Sequence, residues 1–173
     1  MDQSTEHYNE IVRPQMIMND FKYRGEGVSS EQLKKIKKGL HTLHTLELMA
    51  QNIYKFQITK ERSELNRQLI AAMCNEMTHY QDFQVKLYEY GWKPSPFRWM
   101  YWIVGFCFGF FSRIMGRKMM LKTAIWVESL AVKHYGQLIS EIDWDGDTKA
   151  MIEKDWEDEK GHVATWKRFL TMT

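Results

Sequence analysis

Proline and glycine are scarce in this 173-residue chain, with three and ten copies. No alternating apolar–polar run marks a strand either, so helix is favoured throughout. Cysteine is rarer still: Cys74 and Cys107 are the only two, and they match no Cys-x-x-Cys pair. Both read as small core residues in a reducing compartment, and two cysteines cannot build a four-cysteine iron site. An excess of one charge is also missing. The net charge is +2, and no basic stripe carries a base-reading motif, which argues against a nucleic-acid partner. Met1-Asp2-Gln3-Ser4 lacks the charged-then-apolar layout of a signal peptide, so no export signal is expected. What remains is ordinary for a globular protein, 44% hydrophobic and 27% charged, and the length suits one domain with a sizeable core.

Residues 1–28 form an N-terminal extension broken by Pro14, Gly25 and Gly27, with a short helix expected over 5–20. Residues 29–173 form the main body. Its first helix opens on a capping box, Ser29 with Gln32, and a Val28–Leu33 staple. Leu33, Ile36, Leu40, Leu43, Glu47, Ala50 and Tyr54 then recur at steps of three and four, the core stripe of a bundle helix. A second helix, from near Glu61 to Tyr90, carries Leu65, Leu69, Ala72, Glu76, His79, Phe83 and Leu87, and Gly91 and Pro94 stop it. A third carries Leu121, Ala124, Glu128, Ala131, Tyr135, Leu138 and Ile142. The fourth carries Ile152, Trp156, Glu159, Val163, Trp166 and Leu170, with His162 beside Val163. Asp143-Trp144-Asp145-Gly146-Asp147 has the look of a calcium loop, but Thr148 stands where glycine is needed and Lys154 where glutamate is needed. It reads as a turn in which Asp147 or Thr148 caps the fourth helix.

Polar residues occupy positions where core residues are due. Glu76-x-x-His79 and Glu159-x-x-His162 each put a carboxylate and an imidazole on one helix face. Glu47 and Glu128 are lone inward glutamates on the preceding helices. A repeat ties the halves together: Glu47, Ala50 and Tyr54 match Glu128, Ala131 and Tyr135. The offsets are 81 residues for the lone glutamates (128 − 47) and 83 for the paired motifs (159 − 76). The implied fold is an all-α four-helix bundle of two similar hairpins, with a long crossover between helices two and three.

Any one of these residues alone reads as a solvated glutamate or a satisfied histidine, as His41 and His44 do. Six on core stripes, in register between two repeats, read differently. No Lys or Arg lies on the stripes to pair with four buried carboxylates, and burying them unpaired exceeds a domain's net stability. Two divalent metal ions would balance them, and mixed oxygen and nitrogen ligands suit iron, with manganese the alternative. The set matches the ferritin-like di-metal pattern, with Glu47, Glu76, His79, Glu128, Glu159 and His162 as ligands. Tyr54 and Tyr135 lie two turns beyond Glu47 and Glu128 and serve either as core or as support for the ligands. His134 is either an orienting group or a polar neighbour.

From Gly91 to Val127 there is no acid but six bases, Lys93, Arg98, Arg113, Arg117, Lys118 and Lys122. Trp99 to Phe111 is uncharged and rich in aromatics. As a helix it reaches about 20 Å, short of a bilayer's core of about 30 Å. An interfacial segment over 94–117, set on an anionic leaflet, fits this pattern. A buried crossover or a dimer interface is the plainer reading, and homo-oligomerisation stays open.

With Glu47 and Tyr54, Glu76-x-x-His79, the segment Trp102-Ile-Val-Gly-Phe-Cys-Phe-Gly-Phe, Glu128 with His134-Tyr135, and Glu159-x-x-His162, the chain resembles the demethoxyubiquinone hydroxylase family of ubiquinone biosynthesis. This is a membrane-bound branch of the ferritin-like di-iron proteins, and the likeness covers about residues 31–170. It implies a membrane-associated di-iron monooxygenase that hydroxylates a polyprenyl benzoquinone ring with O₂ and electrons from NADH. It implies Glu76 and Glu159 as bridging ligands, Glu47 and Glu128 as terminal ones, and roles near the metal or in electron transfer for Tyr54, His134 and Tyr135. A lipid-soluble quinone and the membrane surface are the implied partners, with the protein peripheral on the cytoplasmic side. The chain departs from the family at Thr45-Leu46, at Ser129 beside Glu128, and at Phe108 and Phe110. Two rival readings are a rubrerythrin-like iron oxidase or peroxide reductase and a non-enzymatic peripheral membrane bundle.

Overall fold

The computed structural model describes residues 21–172, so the helix expected over 5–20 lies outside the described residues. Among the described residues there are five helices: α1 (Ser30–Gln57), α2 (Glu64–Glu89), α3 (Arg98–Ile114), α4 (Arg117–Glu141) and α5 (Gly146–Thr171). Side-chain caps start three of them. Ser29 Oγ accepts from Gln32 N at 3.2 Å and Ser63 Oγ from Asn66 N at 3.2 Å, each satisfying one of the amides a helix start leaves free. Only half of the expected capping box forms, because the Gln32 side chain reaches instead to Asp143 O at 2.6 Å. The cap of α5 is Asp145, not Asp147 or Thr148: its carboxylate accepts from both Thr148 N and Thr148 Oγ1.

α1, α2, α4 and α5 form the bundle, with α1 packed along α2 and α4 along α5. The crossover is itself a helix. α3 lies along α1 in extensive contact, and Gly105 and Gly109 make that possible. A Cβ built on Gly105 would stand 2.5 Å from Met49 O, and one on Gly109 2.5 Å from Ile53 O. The matching four-residue steps on the two helices show that α3 runs in the same direction as α1. Gln57 Nε2 fastens the far end by donating to Ser112 Oγ (2.9 Å) and Met120 O (3.2 Å). Gly116, at φ +90°, turns the chain into α4 in a conformation that favours glycine.

The expected stripes of α1, α2 and α4 are the buried faces. In α5 the inward face is shifted by about one residue. Asp155 and Phe169 are buried there with Ile152, Glu159 and Trp166, whereas Trp156, Val163 and Leu170 flank it half-buried. The cysteines correct their reading too, since Cys74 is exposed and Cys107 half-buried. The core is layered. One apolar cluster, centred on Leu40, Leu43, Phe83, Leu87, Tyr135 and Ile152, fills one end, and another, centred on Tyr54, Leu69, Leu121, Ala124 and Trp166, lies beyond. Each buried side chain of this kind contributes about 1.5–3 kcal/mol. Along α1 the order is Leu43, Glu47, Tyr54, and along α2 it is Leu69, Glu76, His79, Phe83. The polar residues therefore form a sheet-like layer enclosed by hydrocarbon on both sides. Arg24 clasps the end of the bundle, donating to Glu89 Oε2 at 2.6 Å and pairing with Asp145.

Candidate metal centre

The polar layer is made of Glu47 from α1, Glu76 and His79 from α2, Glu128 from α4, and Glu159 and His162 from α5. The four carboxylates and His79 are at most 1% exposed, and the His162 side chain is 18% exposed. Helical spacing supplies each pair, because residues three apart share a face. The ligand-type atoms gather in two sets. Glu47, Glu76, His79 and Glu159 each offer one atom within 4.8 Å of the others, and so do Glu76, Glu128, Glu159 and His162. Glu76 and Glu159 belong to both sets.

Hydrogen bonding does not account for this many buried charges. Both oxygens of Glu76, Oε2 of Glu128, Oε2 of Glu159 and Nδ1 of His162 lack a hydrogen-bond partner. His162 Nδ1 stands 3.0 Å from Glu76 Oε1 without the alignment of a hydrogen bond, so the imidazole and the carboxylate face one region together. Buried polar atoms are seldom left this way. The donor set, four carboxylates with two imidazoles, is one that iron or manganese accepts. The residues therefore fit a pair of divalent cations shared by Glu76 and Glu159.

The buried carboxylates act strongly on one another and on the histidines. Burial, with Glu76 nearby, pushes the Glu47 carboxyl up to about 8. Burial together with Glu76 and Glu128 raises that of Glu159. Burial opposes the imidazolium of His162, but Glu128 and Glu76 outweigh it and raise the group to about 10. His79 is raised likewise, burial being outweighed by Asp158, Glu159 and Glu47. Protons on these groups offset part of the buried negative charge.

The tyrosines cross over between the hairpins. Tyr135 Oη on α4 donates to Glu47 Oε1 on α1 at 2.6 Å, Tyr54 Oη on α1 donates to Glu128 Oε1 on α4, and Trp166 Nε1 donates to Tyr54 Oη at 2.8 Å. Tyr135→Phe would leave that Glu47 oxygen without its donor. The expected cost is about 1–3 kcal/mol, read as a fall in melting temperature of roughly 3–10 °C for a chain of this size. An unchanged melting curve would contradict the assignment.

His134 is not gathered into this layer. It is half-buried and lines a surface cleft with Lys35, Lys38 and Gln137. His44 is fully buried and stacks on Tyr80 at 4.2 Å, with Gln84 as a polar neighbour. Burial lowers its pKa to about 4, keeping it neutral. Two residues that sequence reasoning passed over complete the surroundings: Asp158 Oδ2 lies 3.3 Å and Asp155 Oδ1 3.6 Å from His79 Nε2. Their positions relative to Glu159, one and four residues earlier on the same helix, were the available signal.

Residues 34–168 match the family model described as "Ubiquinone biosynthesis protein COQ7". Among curated proteins, the chain is 25% identical over 143 residues to the mitochondrial "NADPH-dependent 3-demethoxyubiquinone 3-hydroxylase" of Dictyostelium discoideum. It is also 25% identical over 140 residues to the "3-demethoxyubiquinol 3-hydroxylase" of Legionella pneumophila (strain Paris). The matches take in 79% and 80% of this chain and 66% of each relative, just under two thirds of their length.

Proposed function

The chain belongs to the family of the ubiquinone biosynthesis protein COQ7, and from that premise we propose that it is a membrane-docked di-iron monooxygenase hydroxylating the ring of a polyprenyl benzoquinone. The observation that carries the reading is the buried layer of four carboxylates and two histidines with unpartnered atoms in two overlapping sets. Two iron ions held by Glu47, Glu76, His79, Glu128, Glu159 and His162 would supply the chemistry that activates O₂. The protein's own part is to hold the ligands. Tyr54 and Tyr135 fix the carboxylates of Glu128 and Glu47, and the apolar clusters close the layer above and below. His134, half-buried in a surface cleft and next in sequence to fully buried Tyr135, lies on the side from which electrons would enter. The Dictyostelium relative's name carries NADPH, so the electron source is a reduced nicotinamide, NADH or NADPH.

α3 supports the membrane half of the reading. Trp99 and Phe111 are each 58% exposed and Ile114 65%, with Trp102 and Phe108 also open to solvent. The flanking charges are all basic. No helix among the described residues is long and apolar enough to cross a membrane, and 17 residues reach about 25 Å. An aromatic face bounded by Arg and Lys suits the interface of an anionic leaflet. Between α3 and α4, Cys107, Phe108, Phe111, Met115 and Met119 line an apolar cleft of about 300 Å³ that suits an isoprenoid tail. A soluble iron oxidase has no use for such a face, and a scaffold has none for the buried carboxylates.

The test is direct. Iron-loaded protein given a demethoxyquinone analogue, NADH or NADPH and O₂ should release the hydroxylated quinone, and a failure to do so sinks the proposal. The membrane half is separable. The protein should bind vesicles containing anionic lipid, and Trp99→Ser with Phe111→Ser should weaken binding at least about tenfold, since each buried aromatic is worth about 1.5–3 kcal/mol. Equal binding of both proteins would remove α3 from the interface.

A further inference from the structure

The two halves of the layer differ in what stands behind the histidines. The outer nitrogen of His79 faces two carboxylates, Asp158 Oδ2 at 3.3 Å and Asp155 Oδ1 at 3.6 Å. Asp155 is fully buried, and neither of its oxygens has a hydrogen-bond partner. Apart from His79, its charged neighbour within ion-pair range is Lys154 at 3.8 Å, whose side chain is mostly exposed. The ion-pair contacts of His162, by contrast, all run from Nδ1, to Glu76, Glu128 and Glu159. The repeat shows what replaces the aspartates there. Taken back by the 83-residue offset, Asp155 and Asp158 fall on Ala72 and Asn75 (155 − 83 and 158 − 83). Ala72, Asn75 and His162 line one open cleft of about 420 Å³ with Asp158 on its wall, and Asn75 Oδ1 is buried there without a partner.

We propose that the two cation positions differ in lifetime. The position held by Glu47, Glu76, His79 and Glu159 is locked, with Asp155 and Asp158 as positioning residues. The position held by Glu76, Glu128, Glu159 and His162 exchanges with solvent through the cleft lined by Ala72 and Asn75. The inference rests on the two-cation reading above. An imidazole whose far N–H donates to a carboxylate is fixed in tautomer and orientation, and its other nitrogen becomes a better donor to metal. Losing such a partner typically costs 10–100-fold in affinity. Among the described residues no carboxylate lies within ion-pair range of His162 Nε2, and the side chain is partly open to solvent, so a competing ligand can displace it stepwise.

The probe is Co²⁺. Protein loaded with two equivalents and challenged with excess EDTA should release its metal in two phases of equal amplitude, at rates at least about tenfold apart. Asp155→Asn with Asp158→Asn should speed the slow phase about tenfold and leave the fast one unchanged. Ala72→Asp, which places a carboxylate where the repeat lacks one, should slow the fast phase. That gain cannot come from a damaged fold, which far-UV circular dichroism checks in parallel. A single release phase would overturn the inference, as would aspartate variants that change only the fast phase or an Ala72→Asp variant with unchanged release. If fewer than two Co²⁺ bind, the two-cation reading falls with it; two bound ions leaving at one rate overturn this inference alone.

Discussion

Removing the metal from the loaded protein with a chelator is expected to lower its melting temperature by roughly 15–30 °C. A ligand present at about a thousand times its dissociation constant stabilises the folded state by about 4 kcal/mol. Two cations therefore supply about 8 kcal/mol, and each kcal/mol is worth about 2–4 °C in a chain of this size. Glu159→Gln should separate the two sides of that balance. Glu159 is common to both ligand sets, so the variant should lose the metal-dependent rise. In the metal-free protein, where burial with Glu76 and Glu128 favours the neutral carboxyl, the same change exchanges one neutral polar group for another, so its melting temperature should stay close to that of the metal-free parent. A metal-free variant much less stable than the metal-free parent would show that this carboxyl is not neutral in the way described.

The pH dependence of the metal-free protein has a definite sign. Glu47, held up to about 8, and Glu159 keep protons in the folded state that the unfolded chain gives up near 4.5. Their stabilising protons count fully below that pH, and the advantage is lost as pH rises through their folded values, about 8 for Glu47. His162, raised to about 10, and His79 contribute stability that is full below 6.5 and is lost as pH rises through their folded values. Glu76, lowered by His162 against its burial, works the other way, but only below about 4.5. From pH 6 to 9 the metal-free protein should thus lose stability steadily. Metal binding requires the same groups to be deprotonated and strengthens with pH. The melting temperatures of the two forms should therefore diverge as pH rises, and parallel curves would contradict the buried-charge account.

The second large effect is expected at Gly109. Gly109→Leu should destabilise the protein by about 3 kcal/mol or more and detach α3 from α1, lowering vesicle binding as well. The Cβ would sit 2.5 Å from Ile53 O and 2.9 Å from Phe56 Cβ. A backbone carbonyl cannot swing aside as a side chain can, so a helix must move, and overpacking of this kind costs about 1–3 kcal/mol before any contacts are lost. Gly161→Ala is the control. Nothing lies within 4 Å of a Cβ there, so the usual gain of about 0.5–1 kcal/mol for leaving glycine in a helix should appear. Equal effects at the two glycines would refute the close approach of α3.

Much of this architecture was legible because its signals are periodic. Leu40, Leu43, Glu47, Ala50 and Tyr54 announce a buried face, and an acid at a core position is conspicuous against that rhythm. The phase of α5 was harder, since Trp156, Val163 and Leu170 offer a second apolar row beside the inward one. The residue that decides between them, Asp155, is a type rarely buried. Its burial depends on His79 across the bundle, a contact between residues 76 positions apart (155 − 79). Ser29 read correctly as a cap, but Gln32 found a partner beyond its own helix. Gly105 and Gly109 stood in plain view, yet only the register of α3 on α1 shows what their missing side chains allow. The exposed setting of Cys74, two residues from Glu76, follows from the helical turn once the inward face is known.

The crossed hydrogen bonds of Tyr54 and Tyr135 carry a consequence for the symmetry of the molecule. Each hairpin presents a carboxylate that accepts a phenolic hydrogen bond from the other hairpin. Such mutual dependence is what two identical hairpins would show if they met about a twofold axis. The arrangement is therefore that of a twofold pairing within one polypeptide, with α3 in the connection between the halves. The halves are not identical, and Asp155 standing where the repeat has Ala72 is one difference between them.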